Sequence, residues 1–232
     1  MSVRCRIEER NCFIHEVGST GPVIFWGTFL HKEDEVESLI TALQMELPDR
    51  EYVLVAFLCD DWNRDFSPWE TLAVFGDQEF LGQGREMLSW LTDRLIPHMK
   101  AQLGDNREQF LIGYSLSGLF ALWAAYESDV FSGIASCSGS LWFPGWDAYV
   151  ASHQVVAPVN VYLSLGKKEE KTKNRIMAQV GERTRMQEDI LKADTNVTAT
   201  VLEWNSGGHF AEPEKRLAKG IKWLLEQTHP MK

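Results

Sequence analysis

No run of about 18 apolar residues, the length a helix needs to cross a bilayer, occurs in this sequence, which predicts no membrane span. The opening residues, MSVRCRIEERNC, hold no apolar stretch of the kind that marks a secretory signal, so none is expected. Cysteine is scarce. Cys5, Cys12, Cys59 and Cys137 are scattered with no CxxC spacing, which argues against a zinc site and for four free thiols in a cytoplasmic protein. Positive charge is also short: 23 Lys and Arg stand against 33 Asp and Glu, a net charge of −10. The most basic stretch, Lys167 to Lys173, is interrupted by Glu169 and Glu170 and reads as a solvated face. Nucleic acid and anionic membrane surfaces are therefore excluded as expected partners. No internal repeat, low-complexity tract or linker divides the 232 residues, so residues 1–232 are expected to form a single domain.

What is present is an alternation of short apolar runs with helical patterns. Strands are expected at Val3 to Ile7, Cys12 to Glu16, Val23 to Trp26, Tyr52 to Cys59, Phe110 to Tyr114, Gly133 to Cys137, Val159 to Leu165 and Thr198 to Trp204. Helices are expected from about Glu33 to Leu47, Gly84 to Leu103, Ser117 to Tyr126, Arg175 to Lys192 and Pro213 to Glu226. Two stretches, DDWNRDFSPWETLAVFGDQ and SGSLWFPGW, read as loops. Tyr52 to Cys59 (YVLVAFLC) is apolar almost throughout, as a strand covered on both faces must be. The alternation predicts an α/β fold: a mainly parallel sheet with helices on both faces, and ligands beyond the carboxyl ends of the strands.

Three positions in those loops could act together. Ser115 lies in Gly113-Tyr114-Ser115-Leu116-Ser117-Gly118, between an apolar run and a helical one. It reads either as a helix cap or as a nucleophile held up on a sharp strand-to-helix turn. His209 follows a strand in the glycine-rich stretch Asn205-Ser206-Gly207-Gly208-His209, where a tight loop could aim an imidazole over the sheet edge. His31, His153 and His229 read as surface residues, and His98 falls late in a helix. A carboxylate to orient the imidazole is offered by the loop Gly166-Lys167-Lys168-Glu169-Glu170, where two glutamates fall and one is wanted. The order of serine, acid and histidine is that of α/β-hydrolases.

Four stretches carry a family resemblance: Asn63-Arg64-Asp65-Phe66-Ser67-Pro68, the hexapeptide around Ser115, the Gly166 to Glu169 turn, and Gly207-Gly208-His209. The chain resembles the esterase-D-like "putative esterase" family of the α/β-hydrolase superfamily, which includes S-formylglutathione hydrolases, feruloyl and siderophore esterases and mycolyltransferases. The resemblance implies an α/β-hydrolase fold and a triad of Ser115, Glu169 and His209, with Glu169 taken as the third residue after Gly166. It implies an oxyanion hole from the backbone N–H of Leu116 and of Thr28, the latter in Trp26-Gly27-Thr28-Phe29. Two departures stand out: Ser117 replaces the second glycine of GxSxG, and Trp26-Gly27 replaces the commoner His-Gly or Asp-Gly.

The implied activity is serine-dependent hydrolysis of a small-molecule ester, with no cofactor and no metal. Acyl transfer, thioester cleavage and a non-catalytic binding protein on the same scaffold are the alternatives. Of nine tryptophans, Trp26, Trp62, Trp69, Trp142, Trp146 and Trp204 fall at or beyond strand ends, and with Phe66 and Phe143 they suggest an aromatic cleft. Taken singly, each tryptophan reads at least as readily as packing a loop onto the core; as a set, Trp62, Trp142 and Trp146 are expected to touch substrate. Arg64 is a candidate for the same role but reads first as an ion-pair partner of a nearby acid such as Asp65.

Overall fold

The computed structural model describes residues 2–29, 33–74 and 76–228. The strands are β1 (Ser2–Ile7), β2 (Arg10–Val17), β3 (Val23–Phe29), β4 (Tyr52–Cys59), β5 (Glu70–Thr71), β6 (Phe80–Leu81), β7 (Gln109–Tyr114), β8 (Gly133–Cys137), β9 (Val159–Gly166) and β10 (Val197–Asn205). The α-helices are α1 (Glu33–Glu46), α2 (Trp62–Asp65), α3 (Gly84–Trp90), α4 (Ile96–Leu103), α5 (Leu116–Glu127), α6 (Trp146–Ser152), α7 (Val180–Ala193) and α8 (Pro213–Gln227). Eight strands form one sheet in the order β1-β2-β4-β3-β7-β8-β9-β10. β1 and β2 pair antiparallel at one edge, β2 joins β4 antiparallel, and β4 through β10 run parallel. This is the expected α/β-hydrolase arrangement.

The sheet splits the apolar residues between two cores by the strand's period of two. Along β4, Val53, Val55 and Phe57 enter one core while Leu54 and Ala56 enter the other. β3 does the same, with Phe25 on the first side and Ile24 and Trp26 on the second. The second core is closed by α1 (Val36, Leu39, Leu43) and α8 (Leu217, Ile221, Leu224). On the opposite face α5 is buried along nearly its whole length, Leu116 to Tyr126. A helix apolar all round needs cover on its outer side as well. Phe66 supplies some, 5.4 Å from the Phe120 ring, and Trp146 more, edge-on to Tyr126 at 6.1 Å.

Three differences from the sequence reading have local causes. The helix expected over 84–103 is interrupted by a π-helical turn, Leu91–Leu95, in which the Ile96 N–H reaches back to the Leu91 carbonyl. Pro97 follows, and its missing N–H cannot close an ordinary helical bond to Asp93, so the irregular turn sits where that bond is lost. α7 begins at Val180 rather than near Arg175 because the Asn174 carboxamide oxygen accepts from the N–H groups of Ile176 and Met177, holding a separate turn ahead of it. The two aromatic stretches read as loops contain α2, β5 and the start of α6, with β6, the partner of β5, just beyond the first. Each element is too short for a periodic signal.

α6 begins at Trp146, which has no exposed surface. Its indole N–H donates to Gln187 Oε1 at 3.0 Å, and Gln187 Nε2 donates to the Tyr126 hydroxyl at 2.9 Å. Trp146→Ala should therefore lower unfolding free energy by about 3–5 kcal/mol. Denaturant titration checks this, and kcat/KM of the folded variant toward a small ester should stay near that of the parent. A stable variant with altered substrate preference would place Trp146 in the binding cleft instead.

Candidate active site

The strands β7, β9 and β10 end on the same side of the sheet, and each hands the chain to a loop bearing one of three side chains. Ser115 follows β7 with φ 60° and ψ −123°, a conformation that L-residues avoid and that costs on the order of 1–3 kcal/mol. The neighbouring backbone holds it there. The Ser115 N–H donates to the Cys137 carbonyl at 3.1 Å, and its own carbonyl accepts from Leu119 (3.1 Å) and Ser140 (3.0 Å). Gly113 is required at this crossing, since a Cβ there would lie 2.1 Å from the Ser117 carbonyl oxygen. Ser117 is accommodated because its hydroxyl folds back, accepting from the Tyr114 N–H and donating to the Tyr114 carbonyl, both at 3.0 Å.

Ser115 makes no capping bond to α5. Its Oγ lies 3.0 Å from Nε2 of His209, and Nδ1 of His209 lies 2.8 Å from Oε2 of Glu169. A proton on Nδ1 directed at the carboxylate leaves the Nε2 lone pair facing the serine hydroxyl. Glu169 opens a 3-10 turn, Glu169–Lys171, and is buried. Its other oxygen, Oε1, accepts from Gly166 N (2.7 Å), Ser138 Oγ (2.8 Å) and Arg216 (2.8 Å). Burial alone would raise the Glu169 pKa, but the hydrogen bond and charge of His209, with the bonds from Gly166 and Ser138, outweigh it and hold the carboxyl below its usual range. Glu170 points elsewhere, accepting from Arg185 at 3.1 Å on the exposed side of α7. The turn thus sends the two glutamates in different directions, Glu169 toward His209 and Glu170 toward α7.

Tyr114 closes the site from below. Burial pushes its phenol up to about 12, so it stays protonated and donates to the His209 carbonyl at 2.5 Å. Of the other histidines, His153 stacks on Tyr149 at 4.1 Å and His98 pairs with Gln102 at 3.0 Å, both away from Ser115. His31 and His229 lie outside the described residues. Among the described residues no three His, Cys, Asp or Glu side chains gather as metal ligands. Among them, too, no helix is long and apolar enough to cross a membrane.

A cavity of about 420 Å³ opens over Ser115 and His209. Its walls include Trp26, Phe29, Trp62, Phe210 and Leu217, and Thr28 lines it as well. Phe210, next to His209, is 91% exposed and forms part of the mouth. Thr28 itself is buried at the end of β3, one residue after Gly27. There Phe66 packs so closely that a Cβ on Gly27 would lie 2.6 Å from its ring. The Arg64-Asp65-Phe66-Ser67-Pro68 segment fixes that ring. Asp65 accepts from Arg10 (3.1 Å) and Arg64 (2.9 Å), while Ser67 Oγ bridges Asn63 O and Gly82 N.

Three members of the expected substrate-binding set do not line this cavity. Arg64 is paired with Asp65 and does not line the cavity, Trp142 is buried against Phe80, and Trp146 belongs to the core. Trp62 alone of the four lines the cavity, its ring 6.3 Å from that of Phe29. Arg216 and Ser138 were not anticipated. Arg216 was signalled weakly, as a charge in register with Gly220 and Leu224 on the apolar stripe of α8; Ser138 carried no signal.

The family model described as "Putative esterase" matches residues 18–220. No curated protein matches the sequence. Among solved structures, an IroE-like serine hydrolase from Shewanella oneidensis aligns with a TM-score of 0.82 at 18% identity, over 97% of this chain and 80% of that one. The siderophore hydrolase EstA from Aspergillus nidulans aligns at 0.75 and 15% identity, over 97% and 94% of the two chains. The enterobactin esterase FES from Shigella flexneri, solved in the presence of 2,3-di-hydroxy-N-benzoyl-glycine, aligns at 0.69 and 16% identity, over 97% of this chain and 59% of that one. At these identities the likeness is one of fold, and the family model supplies the rest: the chain belongs to the "putative esterase" family and has the α/β-hydrolase fold.

Proposed function

We propose that the chain hydrolyses a small carboxylic ester bearing an aromatic or other apolar group, through Ser115, His209 and Glu169. The observation that carries this reading is the continuous line from Ser115 Oγ through both ring nitrogens of His209 to Glu169, at 3.0 and 2.8 Å. Ser115 Oγ attacks the ester carbonyl carbon as His209 Nε2 takes its proton, and the carbonyl oxygen becomes an oxyanion. Glu169 stays ionised and stabilises the imidazolium so formed. The backbone N–H groups of Leu116 and Thr28 receive the oxyanion, each donor contributing about 2.7–4 kcal/mol if it behaves as such donors do elsewhere. Collapse of the intermediate expels the alcohol, which His209 protonates. Water, deprotonated by His209, then attacks the acyl-serine, releasing the acid and restoring Ser115.

The cavity supports the substrate class. Its aromatic walls suit a ring on the acyl or alcohol side, and about 420 Å³ is room for a small ester. The benzoyl-glycine present with the Shigella flexneri enterobactin esterase keeps an aromatic acyl group in view. Glu35 and Glu214 also contribute to the wall, which disfavours a strongly anionic ligand.

Assays against a panel of p-nitrophenyl and naphthyl esters, thioesters and peptides test the reading directly. Ester turnover should fall to background in Ser115→Ala and His209→Ala, while full activity in either variant would give the chemistry to other residues. Glu169→Gln should lose on the order of 10²–10⁴-fold in kcat, because the amide favours the wrong imidazole tautomer. Glu170→Gln should keep nearly normal kcat, and a reversed pattern would move the acid one residue along. Glu169, held below the usual carboxylate range, should stay anionic through the acid limb of the pH–rate profile, which should therefore have a slope of one proton. A two-proton slope would mean that the carboxylate titrates there as well. Finally, Trp62→Ala should reduce the kcat/KM advantage of aromatic over aliphatic esters of equal size by several fold; an unchanged ratio would remove Trp62 from the binding surface.

A further inference from the structure

Arg216 enters the site from behind, out of reach of any substrate. It lies in the first turn of α8, is 2% exposed and does not line the cavity. A buried guanidinium needs both charge compensation and partners for its five N–H donors. Arg216 finds the charge partner and acceptors for both terminal nitrogens on three loops and at the end of β7. One terminal nitrogen donates to Glu169 Oε1 (2.8 Å), Ser138 Oγ (2.7 Å) and the Tyr114 hydroxyl (3.1 Å). The other donates to the carbonyls of Ser206 (3.1 Å) and Gly208 (2.8 Å), in the loop that carries His209. Tyr114 extends the grip by donating to the His209 carbonyl itself.

We propose that Arg216 is a positioning residue that clamps the acid and the loop of the base into one geometry. This rests on the reading of Ser115, His209 and Glu169 as the catalytic set. The planar fork is what makes the clamp: its two nitrogens diverge toward separate targets, which the point charge of a lysine cannot span. Glu169 needs such a partner because it would otherwise hold a negative charge away from water with only neutral donors on Oε1. The loop needs one because it leaves the edge strand β10 and turns through Gly207, at φ 85°, before it reaches His209. The guanidinium also separates the acid's two tasks. Oε1 is occupied by structural donors, so Oε2 is left to His209 alone.

The test compares Arg216→Lys, Arg216→Ala and their combinations with Glu169→Gln, with folding followed by circular dichroism and thermal midpoint. Arg216→Lys should lose roughly 10- to 100-fold in kcat with KM little changed, because nothing in the cavity wall is altered. In the Glu169→Gln background the same change should cost far less, since part of what Arg216 acts through is already gone. Guanidinium ion added to Arg216→Ala should restore part of the kcat. A folded Arg216→Lys enzyme with parental kcat overturns the proposal. So does a loss that simply multiplies with that of Glu169→Gln and is not recovered by guanidinium. If neither Arg216 variant folds, Tyr114→Phe decides, for it cuts the clamp's link to His209: a several-fold drop in kcat supports the clamp and parental kcat overturns it. Full activity in Ser115→Ala would instead mark failure of the catalytic assignment itself.

Discussion

The strained turn at Ser115 sets the terms for the rest of the site. Two backbones must cross there at van der Waals distance, which is why Gly113 carries no side chain and why Ser117 hides its hydroxyl against the Tyr114 peptide. The strain of a non-glycine residue at φ 60° is tolerated because β7 lies within the sheet and α5 is buried along nearly its whole length, so the turn cannot relax without disturbing both cores. The same turn places the Leu116 N–H at the start of a helix, where it has no intrahelical partner. On the proposed reading, the nucleophile and one oxyanion donor thus come from one local constraint.

Fixing the serine leaves the problem of bringing two further groups to it from separate strands. Parallel strands end on one side of a sheet, so β9 and β10 deliver their loops to the neighbourhood without special design. The final placement is electrostatic. Glu169 is buried and still ionised because three donors meet one of its oxygens and the imidazole meets the other. The aromatic segment between α2 and α3 has a comparable role on the other side: Asp65, held by two arginines, steadies Phe66 against Gly27 and so shapes the end of β3 at Thr28.

Most of the sheet was legible in the sequence because its central strands are apolar on both faces and its helices show a regular period. The placement of Ser115 and His209 on loops at strand ends was legible too, from the strand–turn–helix context and from a glycine-rich loop after a strand. What escaped was set by tertiary contact. Trp142 and Trp146 share a composition and loop position with Trp62, yet only Trp62 faces the cavity; the direction of an aromatic ring in an irregular segment has no sequence period to reveal it. Arg64 was readable as an ion pair from its neighbour Asp65, and that local reading is the one the structure contains. Arg216 escaped because a single charge on an apolar helix face names no partner, and its partners lie on three different loops.

The central claim is that Ser115 is an activated nucleophile at the floor of an ester-binding cavity. The most direct measurement is peptide mapping by mass spectrometry after treatment with a fluorophosphonate. The account predicts one adduct, on Ser115, formed rapidly in the parent and slowly or not at all in His209→Ala. An adduct on a different serine, or no adduct from an enzyme that still turns over esters, would contradict it.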